Sequence, residues 1–586
     1  MNAQARFGPQ LDAGGVTFRL WAPAARKVEL MLDRPHAMQI ESKGWHVARI
    51  PGAGVGTLYK FRIDGEIEVP DPASHFQPDD VSGPSEVIDH ESYRWQIGDW
   101  RGRPWNDAVF LEMHVGTFTA SGTFRSAIDK LDHVADAGLT ALELMPLADF
   151  AGRRNWGYDG VLLYAPDSSY GRPEDLKALV DEAHGRGLMI FLDVVYNHFG
   201  PEGNYLPRYA PSFFSDTHTP WGHAINYNVP EVRAFAIENA LHWLEHYRFD
   251  GLRLDAVHAI AEPGEPSILA DLSRAAGALA SQTGRAIHLV LENDDNRASL
   301  LDPEADPPAG KYRAQWNDDY HHAWHVLLTG ETNGYYGDYR DDPARRIARI
   351  FASGFAYQGE SSPHRQGRPR GDDSSKLPPT AFVNFLQNHD QIGNRAMGDR
   401  LVEQAEPRAF EAALAITLLA PMPPLLFMGE EWGSAKPFPF FCDFHGDLAE
   451  AVRKGRRAEF KSAYADVGEA IPDPLSPETF QSAILDWDEA AAGAGKGRLT
   501  LVRSLLDTRR GEIAPLLTGA RFGRSLHDDG LLTANWQLAG GATLYLLANL
   551  SDRPLLKPDV AASSRAIWGG TPSSQLQPWS VFWSIG

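Results

Sequence analysis

"GLRLDAVHAI", residues 251–260, places two charged side chains in a run that otherwise reads as a buried strand. Alternation along a strand aims Arg253 and Asp255 from one face. Burying a cation beside a carboxylate costs free energy unless the geometry is very good, so the pair needs a purpose. Apolar runs of the same kind recur on either side of it. They are "AVFLEMHVGTF" (108–118), "ALELMP" (141–146), "LMIFLDVVYNH" (188–198), "AIHLVLEN" (286–293), "AFVNFLQNHD" (381–390) and "PLLFMGEE" (424–431). A weaker run, "YRAQWN" (312–317), brings the number to eight. Between them lie stretches of helical pattern, among them "SAIDKLDHVADAG", "PEDLKALVDEAHGRG" and "EVRAFAIENALHWLEHY". Continuous apolar strands separated by helices predict a parallel sheet covered on both faces. Eight such units predict an α/β chain closed into a (β/α)8 TIM barrel rather than an open doubly wound sheet. The absence of a Gly-rich dinucleotide fingerprint after the first strand points the same way.

The flanks differ from the centre. Residues 1–95 alternate in short β-type runs, "VTFRLWAP", "KVELML", "GWHVARI" and "LYKFRI", which predict an N-terminal β-sandwich. The barrel with its long loops is expected over 96–515, and a small C-terminal β-domain over 516–586, where "ATLYLLANL" and "SVFWSIG" read as strands. Two polar insertions interrupt the barrel pattern: an aromatic, Pro-rich loop at about 199–228 and a segment with a basic cluster at about 355–380. Long loops at such positions are usually functional.

Composition narrows the chemistry. A chain of 586 residues exceeds one hydrophobic core. The formal net charge of −22 argues against a nucleic-acid backbone or an anionic membrane as partner, and for a neutral substrate. The single cysteine, Cys442, excludes an intrachain disulfide and a cysteine-based metal cluster. The start, "MNAQARFGPQLDAGG", has no apolar stretch resembling a signal peptide, so a cytoplasmic protein is expected.

In a barrel of this type the active site lies at the C-terminal ends of the strands. Polar residues at those ends are Asp193, Asn197 and His198 after the third strand, Arg253 and Asp255 after the fourth, Glu292 after the fifth, and His389 and Asp390 after the seventh. Taken singly, each acid reads more readily as a loop cap or structural ion pair, and each histidine as a satisfied structural one. Their joint occurrence on successive strand ends favours a site. Glycoside hydrolysis needs two carboxyl groups flanking the scissile bond. Crowding keeps one of them protonated as the acid, and Arg253 would hold Asp255 ionised. The spacing of Asp193, Asn197 and His198 fits no ligand motif, so no metal and no cofactor are expected. No G-x-S-x-G elbow follows a barrel strand.

At these residues the chain resembles the α-amylase family of retaining glycoside hydrolases. "DVVYNH" (193–198), "GLRLDAVH" (251–258), "LEND" (291–294) and "FLQNHD" (385–390) are similar to its four signature regions, in order. The resemblance implies Asp255 as nucleophile, Glu292 as general acid/base and Asp390 as transition-state stabiliser, with Arg253, His198 and His389 contacting the sugar. "NWGYDG" (155–160) likewise implies Tyr158 as a stacking platform. Further likeness, in "ELMPLADFAG", "QWNDDYHHAWHVLLTGETNGYY" and "SPHRQGRPRG", is to family members that release trehalose. It implies hydrolysis of the α-1,4 bond joining a malto-oligosaccharide to a terminal trehalose, with malto-oligosyltrehalose or a related α-glucan as partner. Asn317, Asp318 and Asp319 of "NDDYH", and Gln391 and Asn394 of "HDQIGN", would then line the groove, although "NDDYH" also reads as a helix N-cap. His258 reads either as a sugar contact or as a strand cap. Asp294 and Asp295 read as solvated loop charges. The alternative activity within the family is glycogen branching or debranching.

Overall fold

A computed structural model of the chain describes residues 6–261, 267–302, 310–461, 471–558 and 564–586. Its centre is a closed barrel of eight parallel strands: β1 (Phe110–Met113), β2 (Ala141–Leu144), β3 (Met189–Val194), β4 (Gly251–Leu254), β5 (His288–Leu291), β6 (Ala314–Trp316), β7 (Phe382–Phe385) and β8 (Pro424–Phe427). β8 pairs back onto β1 through Leu425 and Phe110, which closes the ring. Every apolar run noted in the sequence supplies a strand, including the weak sixth. The strands are shorter than those runs because their polar C-terminal residues leave the ladder and turn into loops.

Alternation sorts each strand into an outer face under the helices and an inner face. Phe110, Ala141, Met189, Phe191, Val290, Ala314, Trp316 and Phe385 pack with Trp105 into one apolar cluster that plugs the barrel. Gly251 is required there. A Cβ on it would lie 2.2 Å from the Phe191 ring and 2.4 Å from the His288 carbonyl, so the opening glycine of "GLRLDAV" is room for Phe191. Above this plug the inward positions turn polar, with Glu112, Glu143, Asp193 and Arg253 all buried. The apolar floor thus seals the bottom, and the charged layer faces the mouth.

The helices follow their patterns at Pro173–Gly185 and Pro230–His246. The first predicted helix is instead two, Phe124–Ile128 and Leu131–Asp136, separated by a turn closed by Lys130 N–H on the Ala127 carbonyl. N-terminal to the barrel, one sheet of four strands and one of five form the sandwich, and a five-stranded antiparallel sheet beginning at Arg521 follows it. Among the described residues no helix is long and apolar enough to cross a membrane.

Candidate active site

The opening pair is explained by its neighbours. Arg253 and Asp193 are register partners on adjacent strands, so their side chains point together into the mouth. Arg253 Nη1 donates to Asp193 Oδ2 and to Asp255 Oδ1, each at 2.7 Å, and Nη2 lies 3.9 Å from Glu292 Oε2. One guanidinium therefore meets acids from three strand ends. It also lies 4.1 Å from the centre of the Trp316 ring, which supports its charge from the remaining side. Past the strand, Ala256 adopts a left-handed backbone, φ 42°, which costs a non-glycine residue about 1–2 kcal/mol. That turn aims the Ala256 N–H at Glu292 Oε2, so the strain is spent on holding a carboxyl in place. The ladder continues through Asp255 N–H to the Val194 carbonyl and Glu292 N–H to the Leu254 carbonyl, both 3.0 Å, which keeps Asp255 and Glu292 on rigid backbone.

The third acid comes from the short helix His389–Gly393 after β7. Asn388 caps that helix, its Oδ1 accepting from Asp390 N–H at 2.9 Å, and Asn394 Nδ2 donates to Asp390 Oδ1 at 2.7 Å. His389 is held from below by Glu112: its Nδ1 bonds one carboxylate oxygen, and its backbone N–H donates to the other at 3.0 Å. Tyr158 stacks on His389 with ring centres 5.1 Å apart and donates its hydroxyl to Asp193 Oδ2 at 2.6 Å. His198 bonds the Tyr158 carbonyl through Nε2 at 3.0 Å and Asn197 Oδ1 through Nδ1 at 2.8 Å.

These groups open onto one cavity of about 550 Å³, lined by Asp255, Glu292, Asp390, Arg253, Tyr158 and His389 among others. Its electrostatics separate the acids. Burial pushes Glu292 well above the usual carboxyl range, and Asp255, Asp318 and Asp390 add to this against the pull of Arg253. Burial also raises Asp390, opposed by His389, although its side chain is open to the cleft. Asp193 is pushed up to about 7 by burial, even beside Arg253, and its Oδ1 is buried with no partner. Burial works against a charged His389 but is outweighed by Glu112, so the imidazolium is favoured.

The structure brings together Tyr158, His198, Arg253, Asp255, His258, Glu292, Asp318, His389, Asp390, Gln391 and Asn394 around this cavity. Two expected sugar contacts are not there. Asn317 is buried, donating to Asn384 Oδ1 at 2.9 Å and to the Gly354 carbonyl. Asp319 is buried on the opposite side of its helix, paired with Arg370 at 2.9 Å and accepting from Asn296, Ala356 and Tyr357. Asp294 and Asp295 are about half-exposed, but they are not solvated loop charges. Arg365 reaches Asp294 and Asp295 at 2.6 Å each, and Arg370 reaches Asp294 at 3.0 Å. His258 lines the cavity and accepts the Asp294 N–H on Nδ1 at 3.3 Å.

Other lining residues were not singled out in the sequence. Glu112 does not line the cavity but supports His389 from below, and a charge at an inward position of "AVFLEMHVGTF" marks it in the sequence. Trp316 lies in the weak sixth strand, and Trp221 stacks on His198 with centres 5.2 Å apart. Phe440, Arg456 and Glu459 arrive from beyond β8, with no mark in the sequence to distinguish them.

A closed parallel barrel with three carboxyl groups from three strand ends around one cavity, clamped by one arginine at its C-terminal mouth, defines a glycoside hydrolase of the α-amylase type. Comparison with known proteins agrees. The alpha amylase catalytic domain matches residues 112–224, carbohydrate-binding module 48 (isoamylase N-terminal domain) matches 6–75, and a domain of unknown function, DUF3459, matches 520–583. The malto-oligosyltrehalose trehalohydrolase of Deinococcus radiodurans is 42% identical over 509 residues, covering 86% of this chain and 82% of the relative. That of Rhizobium sp. (strain M-11) is 40% identical over 560 residues, covering 92% of each. A crystal structure from Salmonella typhimurium, described as an alpha amylase, superposes with a TM-score of 0.93 at 46% identity over 99% of both chains. The chain belongs to the malto-oligosyltrehalose trehalohydrolase family.

Proposed function

We propose that the enzyme hydrolyses the α-1,4 bond that joins a malto-oligosaccharide to a terminal trehalose, releasing trehalose. Family membership supports the substrate. The observation that supports the chemistry is the shared guanidinium: Arg253 meets Asp255 at 2.7 Å and Glu292 at 3.9 Å, and both carboxyls line the same cavity. In this reading Asp255, oriented by Arg253 at 2.7 Å, attacks the anomeric carbon. Glu292, held protonated by burial and by its acidic neighbours, gives its proton to the departing glycosidic oxygen. The same Glu292, now a base, draws the proton from water as the glycosyl–Asp255 ester is cleaved, which restores the starting configuration. Asp390 faces the positive charge that develops on the ring, and the His389 imidazolium, Tyr158 and His198 position the sugar. The 199–228 loop contributes Trp221 and the 312–340 segment contributes Asp318, His322 and Tyr335 to the cavity wall, which suits selection of the bent trehalose end.

Incubation with maltotriosyl-trehalose, followed by chromatography of the products, tests this. Free trehalose and maltotriose in equal amounts are expected. New α-1,6 branches on glycogen, with the trehalose-capped substrate untouched, would identify a branching activity instead.

A further inference from the structure

Outside the active-site cavity, three histidines converge between the N-terminal sheets and the barrel. His75 lies in the loop before the last strand of the sandwich, Ser85–Glu86, His90 in the short turn His90–Ser92 after it, and His242 on the barrel helix Pro230–His246. Their ring centres form a near-equilateral triangle with sides of 4.9, 4.7 and 5.0 Å. One nitrogen from each lies within 4.8 Å of one from each of the others. A fourth ring, His246, stacks on His90 at 4.5 Å.

Packing alone leaves details of this cluster unexplained. His90 Nε2 and His75 Nδ1 are 3.3 Å apart, a long N–H···N hydrogen bond when no ion is bound. Two nitrogens each about 2.0–2.1 Å from one tetrahedral ion lie about 3.3–3.4 Å apart, so the observed spacing is that of a ligand pair. His90 Nδ1 is buried with no partner. His242 bonds the Tyr164 carbonyl through Nε2 at 3.0 Å, the outer contact that fixes the tautomer of a ligating histidine and leaves Nδ1 with the lone pair. The nearby Lys177 ammonium is engaged by the His90 carbonyl at 2.7 Å, on backbone rather than on a ring. His75 and His90 are partly exposed, which gives an ion access from solvent.

We propose that His75, His90 and His242 form a binding site for a divalent transition-metal ion of the Zn²⁺ class, fastening the N-terminal sheets to the barrel. Three imidazoles with no thiolate or carboxylate suit zinc or its neighbours rather than magnesium or calcium. The site is a staple rather than part of the hydrolytic chemistry.

The test uses the full chain, stripped with a chelator and titrated with Zn²⁺ against a chromophoric competitor. Wild type should take up one tight equivalent and melt at a higher temperature with Zn²⁺ present. His75→Ala/His90→Ala should lose more than the roughly 100-fold in affinity that follows removal of an outer partner, and should lose the thermal gain, while hydrolysis is unchanged. Equal Zn²⁺ affinity in variant and wild type, or no tight equivalent in wild type, would overturn the proposal. If the double variant does not fold, X-ray absorption of Zn²⁺-loaded wild type decides. Three imidazole nitrogens at about 2.0–2.1 Å support the site, and a shell dominated by carboxylate oxygens refutes it.

Discussion

Glu292→Gln should lower turnover on the trehalose-capped substrate by about 10²–10⁴-fold while the fold and substrate affinity persist, because general acid catalysis contributes about that much. Glutamine keeps the shape and the acceptor oxygen for the Ala256 N–H but has no proton to give. The pH profile adds an independent sign. In wild type Glu292 sits well above the usual carboxyl range, chiefly through burial. It must be protonated to act, so the rate holds below its raised pKa and falls as pH climbs through it. That alkaline limb should vanish in the variant. An activated leaving group that departs without protonation should recover most of the first step. A loss under tenfold, or an alkaline limb that survives the substitution, would place the acid elsewhere.

The second large effect belongs to Arg253. Its side chain is 3% exposed and neutralises acids that are themselves largely buried, with Asp193 2%, Asp255 13% and Glu292 16% exposed. Arg253→Met removes the charge but not the volume, leaving Asp193, Asp255 and Glu292 buried together without their cation. Breaking a buried pair in this way costs about 3–5 kcal/mol, read as a lower thermal midpoint for the barrel. Turnover should collapse as well, since Asp255 loses the hydrogen bond that orients it. Arg253→Lys should recover part of the stability but little of the rate, because a single ammonium does not span Asp193, Asp255 and the Trp316 face as a planar guanidinium does. A stable, active Arg253→Met enzyme would show that the clamp is incidental.

These effects trace back to features readable in the chain. A barrel strand must be apolar on both faces, so a charge two positions from another in "GLRLDAV" announces an inward polar layer, and the three acids follow from where such strands stop. The sixth strand was faint because only Ala314–Trp316 pair, and a three-residue run carries little pattern. "NDDYH" shows the limit of spacing arguments. Successive helical residues point about 100° apart, so Asp318 faces the cavity while Asp319 turns to Arg370, fifty-one positions on. Nothing local distinguishes the two aspartates. The basic cluster of 355–380 and the acids of "LENDD" were each visible, but their pairing through Arg365 and Arg370 is a product of the tertiary fold. The same holds for the His75, His90 and His242 triangle, whose members are too far apart in sequence to resemble a ligand motif.

All of this turns on which carboxylate forms the bond to sugar. Mass spectrometry of peptides from the Glu292→Gln enzyme, quenched during reaction with an α-glycosyl fluoride, reads it directly: fluoride leaves without an acid, and breakdown of the ester is slowed. A glycosyl adduct on the peptide carrying Asp255 is the expected result. An adduct on Asp193 or Asp390, or product of inverted configuration with no adduct, would contradict it.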